Sequence, residues 1–245
     1  MTYPIQVQNL TKKFDQFTAV DNITFKVKEG EIFGFLGANG AGKTTAMRML
    51  CGLSLPTSGE AEIAGFDLNK YPEKIKKNIG YMSQKFSLYE DLTVRENIRF
   101  YGGIYGLDNE KIKSKTNTML STLSLLEEKN TLVKSLPLGW RQKIAFSVAM
   151  VHDPKIIFLD EPTGGVDPIA RREFWNMIYE VANNGTTVFV TTHYMDEAEY
   201  CSRVCIMVDG RIDALDTPLS LKKQFNSKDM NEVFVKLARH SKRTE

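Results

Sequence analysis

A glycine-rich segment near the N-terminus has the residue types that bind phosphate groups. Residues 37–45 have the sequence Gly-Ala-Asn-Gly-Ala-Gly-Lys-Thr-Thr, which fits the pattern G-x-x-x-x-G-K-[ST]. Glycines let successive backbone N–H groups point at phosphate oxygens, and the helix that follows adds the positive end of its dipole. Lys43 is expected to bridge the β- and γ-phosphates of a nucleotide, and the Thr44 hydroxyl to bind Mg²⁺. The residues expected to contact the nucleotide in this segment are Gly37, Asn39, Gly40, Ala41, Gly42, Lys43, Thr44 and Thr45.

Two adjacent carboxylates follow an apolar run later in the chain. Residues 156–159 are Ile-Ile-Phe-Leu, and Asp160 and Glu161 come directly after them. A strand that ends in this way places Asp160 at the carboxyl edge of the sheet, where it can hold the Mg²⁺ shell. Glu161 can then orient or deprotonate an attacking water. Alone, the pair is also consistent with a solvated turn, and the phosphate-binding pattern upstream favours the catalytic interpretation.

The patterns before these carboxylates predict the elements that position the first motif. Apolar and polar residues alternate in 5–7 and 23–27, which is typical of an antiparallel sheet with one solvated face. The continuous apolar run 32–36 predicts a strand buried on both faces, and a helix is expected over about 43–53.

The rest of the chain changes from helical spacing to alternating strands and helices. Residues 92–152 have apolar residues at three- and four-residue spacing, with helices predicted over 93–105, 110–126 and 139–151. Strands are then predicted at 156–159, 187–190 and 204–208, and short helices at 219–225 and 230–240. Such alternation indicates a mostly parallel sheet covered by helices.

The composition narrows the class of protein. The 245 residues carry a net charge of +2 with acidic and basic residues interleaved, so no nucleic-acid partner is expected. No apolar run approaches the ~18 residues of a spanning helix, and the N-terminus lacks the apolar core of a signal peptide, so a cytoplasmic location is expected. Cys51, Cys201 and Cys205 are too few and too scattered for a zinc site and are expected to be reduced core thiols.

With these motifs in this order, the sequence resembles the ABC-type ATPases over nearly its whole length. The matching segments are 37–45, 81–84, 136–142, 156–162, 164–167 and 191–193. The resemblance implies an α/β fold: a P-loop NTPase (RecA-like) core with an N-terminal antiparallel β subdomain and an inserted α-helical subdomain. It implies one domain over 1–245, in which 1–85 and 153–215 form the core, 86–152 the helical subdomain and 216–245 a short C-terminal helical extension.

The same resemblance assigns roles to single residues. Phe14 takes the position that stacks on adenine, Gln84 contacts Mg²⁺ or the attacking water, and His193 contacts the γ-phosphate and keeps Glu161 in register. Asp167 takes the position that crosses to a second ATPase subunit, expected to be another copy of this chain. In such a head-to-tail pair, ATP lies between the phosphate loop of one chain and the signature loop, residues 136–142, of the other.

The signature loop departs from the family pattern. Its usual Leu-Ser-Gly-Gly-Gln is replaced by Leu-Pro-Leu-Gly-Trp, so Pro137 stands where a serine hydroxyl would bind phosphate. We expect Pro137 in the first turn of a helix, with the backbone N–H groups from Leu138 and Gly139 onward contacting the phosphate alone. Gly164, where a serine is usual, is a smaller departure.

The sequence of residues 137–142, together with segments 93–98 and 231–234, is most similar to that of ATPases of multidrug-type exporters whose membrane permease is a separate chain. This similarity implies an ATP-hydrolysing subunit attached to the cytoplasmic face of the membrane through that permease, and Phe86, Leu88 and Tyr89 are expected to line the groove for it. Two alternatives stay open: a soluble ABC ATPase acting on the ribosome or nucleic acid, and a regulatory nucleotide binder that does not hydrolyse ATP. Importer subunits share most of the same catalytic residues.

Overall fold

The computed structural model describes residues 2–84 and 88–238. Ten strands in these ranges form two sheets. The first sheet is antiparallel and has the order β2 (Phe17–Val27), β1 (Ile5–Phe14), β4 (Ser58–Ile63), β5 (Phe66–Asp67). The second has the order β10 (Arg211–Asp216), β9 (Arg203–Val208), β3 (Ile32–Leu36), β8 (Thr187–Thr192), β7 (Ile156–Asp160), β6 (Ile79–Met82). All of its neighbours are parallel except β10 and β9.

Eight α-helices connect and cover the strands in the described part of the chain. They are α1 (Lys43–Leu50), α2 (Pro72–Asn78), α3 (Val94–Ile104), α4 (Asn109–Thr122), α5 (Leu138–Ala149), α6 (Pro168–Asn183), α7 (Pro218–Gln224) and α8 (Met230–Ala238). Helices α3 to α5 come between β6 and β7, as the helical spacing of 92–152 predicts. None of the helices within the described ranges is long and apolar enough to cross a membrane.

The core lies on both faces of the parallel sheet. On one face, Phe25 of the antiparallel sheet packs on Phe33 and Phe189, with ring centroids 5.4 and 6.1 Å apart. On the other, α5 and α6 meet through Phe146 and Phe174, whose rings are 5.3 Å apart. All five residues of β3 are buried, which confirms that this apolar run is a strand covered on both faces. The three cysteines are buried and free of disulfides, as expected of core thiols.

Two predicted helices end earlier than their apolar spacing indicated. Helix α1 stops at Leu50 rather than near residue 53 because Gly52 adopts a φ of 69° and donates its N–H to Met49 O, while Leu53 donates to Arg48 O. Helix α4 stops at Thr122 by the same bond pattern, with Ser124 in the left-handed position. Both are Schellman-type ends, in which hydrogen bonds from beyond the helix satisfy its last carbonyls.

Strands β1 and β2 are longer than predicted. Alternation in the sequence is clear only over 5–7 and 23–27, yet the strands pair from Ile5↔Val27 to Phe14↔Phe17. Shifts of register interrupt the pairing, and Asn9 and Asn22 adopt φ values of 52° and 54°. Bulges of this kind insert a residue into a strand, so they break the two-residue period while the ladder continues.

Candidate functional site

The predicted site residues meet at the carboxyl edge of the parallel sheet. The phosphate loop follows β3, Asp160 ends β7, His193 follows β8, and Gln84 lies two residues after β6. Because β3, β8, β7 and β6 are parallel neighbours, their carboxyl ends lie side by side at one edge. This edge is where ligands bind in open α/β sheets.

The phosphate loop curls tightly around the side chain of Lys43. Gly42 precedes α1 with a φ of 100°, and a Cβ there would lie 2.3 Å from Ala19 O, so only glycine fits. Lys43 Nζ donates hydrogen bonds to Gly37 O at 2.9 Å and to Ala38 O at 3.1 Å. Burial lowers the pKa of Lys43, and the nearby Glu161 carboxylate partly opposes that shift. The loop therefore presents a desolvated ammonium group and the N–H groups at the start of α1 at one place.

Asp160 and Thr44 form an oxygen donor set suited to Mg²⁺. Thr44 Oγ1 lies 3.4 Å from Asp160 Oδ1, and Thr191 Oγ1 donates to the same oxygen at 2.6 Å. Burial raises the pKa of the Asp160 carboxyl, and the hydroxyl of Thr191 works against that rise. A carboxylate and a hydroxyl fit Mg²⁺, which is bound through one or two protein oxygens plus phosphates and water. Sequence reasoning missed the role of Thr191, whose signal is a hydroxyl residue at the end of β8 in register with Asp160.

Glu161 is held by donors from three other segments. Gln84 Nε2 donates to Glu161 Oε2 at 2.9 Å, and His193 Nδ1 lies 2.9 Å from the same oxygen. Lys43 Nζ is 3.5 Å from Glu161 Oε1. The backbone of Glu161 adopts a φ of 48°, and its N–H donates to Thr191 O. The structure thus brings all four predicted catalytic residues together around one carboxylate.

A second group of predicted residues lies where α5 and α6 begin. Asp167 caps α6, and its carboxylate accepts hydrogen bonds from the N–H groups of Ile169 and Ala170, both at 3.0 Å. A Cβ on Gly139 would lie 3.0 Å from Ala170 Cβ, so this glycine permits close packing of the two helix starts. Gln142 Nε2 donates to Gly164 O at 3.3 Å, which ties the signature loop to residues 164–167 of the same chain.

Pro137 lies just outside α5 rather than in its first turn as predicted. It is the N-cap residue, with φ −54° and ψ 150°, and it supplies no side-chain cap. Its carbonyl accepts the Arg141 N–H at 3.1 Å, so α5 starts with Leu138. The N–H groups of Leu138, Gly139 and Trp140 are the ones that a helix leaves without an intrahelical acceptor, so they are available to bind an anion.

Phe14 stands apart from both groups. It ends β1 in the antiparallel sheet, its side chain is 52% exposed, and Lys12 Nζ lies 5.2 Å from its ring centroid. An exposed ring of this kind can stack on a base. Its assignment to adenine stays a prediction from the family resemblance.

Comparisons with known proteins agree with this arrangement. A family profile described as "ABC transporter" matches residues 20–164. A probable multidrug ABC transporter ATP-binding protein, YbhF of Escherichia coli (strain K12), is 46% identical over 238 residues, which cover 95% of this chain and 41% of that protein. This chain therefore spans about two fifths of that relative. The linearmycin resistance ATP-binding protein LnrL of Bacillus subtilis (strain 168) is 35% identical over 89% of this chain and 70% of that protein.

Solved structures show the same fold. An ATP-binding subunit of an ABC transporter superposes with a TM-score of 0.86 at 28% identity, over 96% of this chain and 99% of that one. A dimeric ATP-binding cassette in a post-hydrolysis state with ADP and Pi gives a TM-score of 0.79 at 26% identity, over 87% of this chain and 98% of that one. These matches confirm the predicted α/β fold class.

Proposed function

Because this chain belongs to the ABC transporter family as one of its ATPase cassettes, we propose that it hydrolyses ATP between two chains and powers export through a separate membrane permease. The observation that supports hydrolysis most directly is the Glu161 carboxylate, held by Gln84 and His193 beside Lys43. A regulatory nucleotide binder has no need of a carboxylate positioned in this way. The geometry therefore favours turnover over simple binding.

The residues at the carboxyl edge of the parallel sheet each have a role in the proposed mechanism. Lys43 binds the β- and γ-phosphate oxygens and stabilises the charge that develops on them. Glu161 accepts the proton of the attacking water, whose oxygen forms the new bond to the γ-phosphorus as the bond to ADP breaks. Gln84 and His193 keep that carboxylate in place. Thr44 and Asp160 would hold Mg²⁺, which neutralises charge on the phosphates when bound.

The second group supplies contacts to the nucleotide of the other chain. The helix start at Leu138 and Gly139 presents backbone N–H groups for the γ-phosphate, which offsets the missing serine hydroxyl at Pro137. Asp167 lies in the neighbouring loop, and Ile169 beside it is 74% exposed, which is consistent with burial against a second chain. A homodimer satisfies both sites with two copies of these groups.

The proposed contact with the permease is revised by the structure. Leu88 is 5% exposed and packs in the core, so it attaches the helical insert rather than lining a groove. Phe86 lies outside the described residues. Tyr89 is 51% exposed and meets Phe100 edge to face at 4.8 Å, and Ile104 on the same helix as Phe100 is also exposed. We assign the contact with a cytoplasmic segment of the permease to this apolar surface of Tyr89, Phe100 and Ile104, with the chain attached to the inner face of the membrane.

Steady-state ATP hydrolysis over a series of protein concentrations tests the composite site. The rate should rise more steeply than the protein concentration, because two chains form each site, and co-purification should recover a membrane protein. A rate strictly proportional to concentration would contradict the two-chain site. Co-purification with RNA and no membrane protein would favour a soluble ATPase that acts on ribosomes or nucleic acid.

A further inference from the structure

Glu197 is a charged residue inside the protein that the proposed mechanism does not use. It belongs to the short 3₁₀ helix Met195–Tyr200, four residues after His193, and its side chain has no exposed surface. Burial of a carboxylate is unfavourable unless hydrogen bonds and a countercharge compensate it. The contacts of this carboxylate therefore indicate what it does.

Two residues from another part of the chain meet one oxygen of Glu197. The buried hydroxyl of Thr163 donates to Glu197 Oε1 at 2.5 Å, and Arg171 Nε lies 3.7 Å from the same oxygen. Neither Glu197 Oε2 nor Arg171 Nε has a hydrogen-bond partner among residues 2–84 and 88–238. The carboxylate thus depends on one short hydrogen bond and one longer ion pair, and loss of either leaves it poorly compensated.

Thr163 and Arg171 flank the loop 164–167, which carries Asp167. Thr163 lies two residues after Glu161, and the N–H of Val166 bonds to its carbonyl. Arg171 lies one turn into α6, where its N–H donates to Asp167 O at 2.9 Å. Both ends of this loop therefore contact the same buried carboxylate, and Arg171 Nη1 also lies 3.6 Å from Asp196 Oδ2.

The other end of the contact path is His193. The Arg171 guanidinium lies 4.3 Å from the ring centroid of Tyr194, and that ring is 4.2 Å from the ring of His193. The N–H of Glu197 also bonds to Tyr194 O at 3.2 Å. A continuous set of contacts hence joins the loop 164–167 to the imidazole beside Glu161.

We propose that Glu197, with Thr163 and Arg171, positions His193 relative to the loop 164–167. The inference rests on the proposed function, in which His193 acts in the site of its own chain and Asp167 faces the second chain. When the second chain closes on this loop, Thr163 and Arg171 move with it. The Glu197 carboxylate that they contact then shifts and aligns His193 for hydrolysis. Glu197 is a positioning residue here, because it contacts neither the nucleotide nor the attacking water.

The test is Thr163→Val, which removes the hydroxyl at nearly constant volume, with Thr163→Ser as the variant that restores it. Thr116→Val is the matched control, because Thr116 is also buried but bonds only to Ile112 O within α4. In Thr163→Val, kcat should fall by about ten- to a hundredfold, the factor that corresponds to a hydrogen bond to a charged group. Nucleotide affinity should be unchanged, Thr163→Ser should recover kcat, and Thr116→Val should keep the rate of the parent.

Amide hydrogen exchange gives a readout that does not depend on turnover. Thr163→Val should speed exchange in peptides covering both 162–170 and 193–200, whereas Thr116→Val should change neither. Faster exchange in only one of these peptides, or an unchanged kcat, would overturn the proposed link. If Thr163→Val does not fold, Glu197→Gln takes its place, since it keeps the volume and the acceptor for Thr163 but loses the charge facing Arg171. A parent protein that does not hydrolyse ATP would contradict the proposed function, and the exchange data would still decide this inference.

Discussion

Glu161→Gln is expected to separate nucleotide binding from hydrolysis. The amide has the shape of the carboxylate and keeps an oxygen acceptor for Gln84 and His193, which both lie 2.9 Å from Glu161 Oε2. It cannot accept a proton at neutral pH. A positioned general base contributes about 10²- to 10⁴-fold to a rate, so kcat should fall by that factor, equivalent to about 3–5 kcal/mol of activation free energy.

The same substitution should leave ATP binding intact or strengthen it. Lys43 Nζ is 3.5 Å from Glu161 Oε1, so the carboxylate competes with phosphate for this cation and repels the γ-phosphate. Equilibrium binding of a fluorescent ATP analogue and single-turnover hydrolysis measure the two effects separately. Glu62→Gln, a change of the same type on β4 of the antiparallel sheet, is the control. A loss of kcat smaller than about tenfold, or a matching loss of ATP affinity, would refute the role of Glu161 as the base.

Four further substitutions test the metal site, the packing of Leu88 in the core and the surface proposed to contact the permease. Asp160→Asn should abolish Mg²⁺-dependent hydrolysis and raise the melting temperature of the nucleotide-free protein at neutral pH, by roughly 2–4 °C for each kcal/mol gained. Burial raises the pKa of Asp160, so its ionised form destabilises the fold at a pH above that pKa. The gain in melting temperature should therefore shrink as the pH falls through the pKa of Asp160 in the folded protein. A melting temperature lowered by the substitution would show that this sign is wrong. Thr191→Val removes the 2.6 Å hydrogen bond to Asp160 and should lower the free energy of unfolding by about 1–3 kcal/mol, measured by urea denaturation beside Thr116→Val. Leu88→Ala should destabilise the protein by about 2–5 kcal/mol, whereas Tyr89→Ala should leave stability and basal ATPase activity near those of the parent and impair transport with the permease; loss of folding in Tyr89→Ala would contradict its assignment to the surface.

The sequence predicted Lys43, Asp160 and Glu161 because each belongs to a motif that follows an apolar strand, whereas the roles of Gln84 and His193 came from the family resemblance. Strand β3 was predicted with its observed bounds, since all five of its residues are apolar or glycine and all are buried. Parallel pairing then places Lys43, Asp160 and His193 at one edge without further information. The motifs and the apolar strands both indicate the carboxyl edge of the parallel sheet, and each can be recognised from a short segment of the sequence.

Contacts that depend on tertiary packing could not be predicted in this way. Leu88 and Tyr89 are adjacent hydrophobic residues that the sequence alone does not distinguish as buried or exposed. Only the position of the helical insert against the core makes Leu88 buried and Tyr89 exposed. Thr191 supports Asp160 because β7 and β8 pair in a register that no local pattern specifies. Glu197 in an amphipathic segment resembles a solvated charge until Thr163 and Arg171 are seen to cover it.

Burial shifts the pKa values of the two charged groups at the centre of the site, Lys43 and Asp160, in opposite directions. Burial lowers the pKa of Lys43 and raises the pKa of Asp160, so in each case the protein disfavours the charged form. In the proposed site, phosphate oxygens would supply the countercharge for Lys43 and Mg²⁺ would supply it for Asp160, so Mg²⁺ and ATP together would relieve both penalties. Binding energy gained only in the folded state adds directly to stability. We therefore expect ATP and Mg²⁺ added together to raise the melting temperature by more than the sum of two separate increases: that from ATP in the presence of EDTA, and that from Mg²⁺ without ATP. Equal stabilisation by ATP with and without Mg²⁺ in thermal denaturation would show that Asp160 does not share its countercharge with the nucleotide.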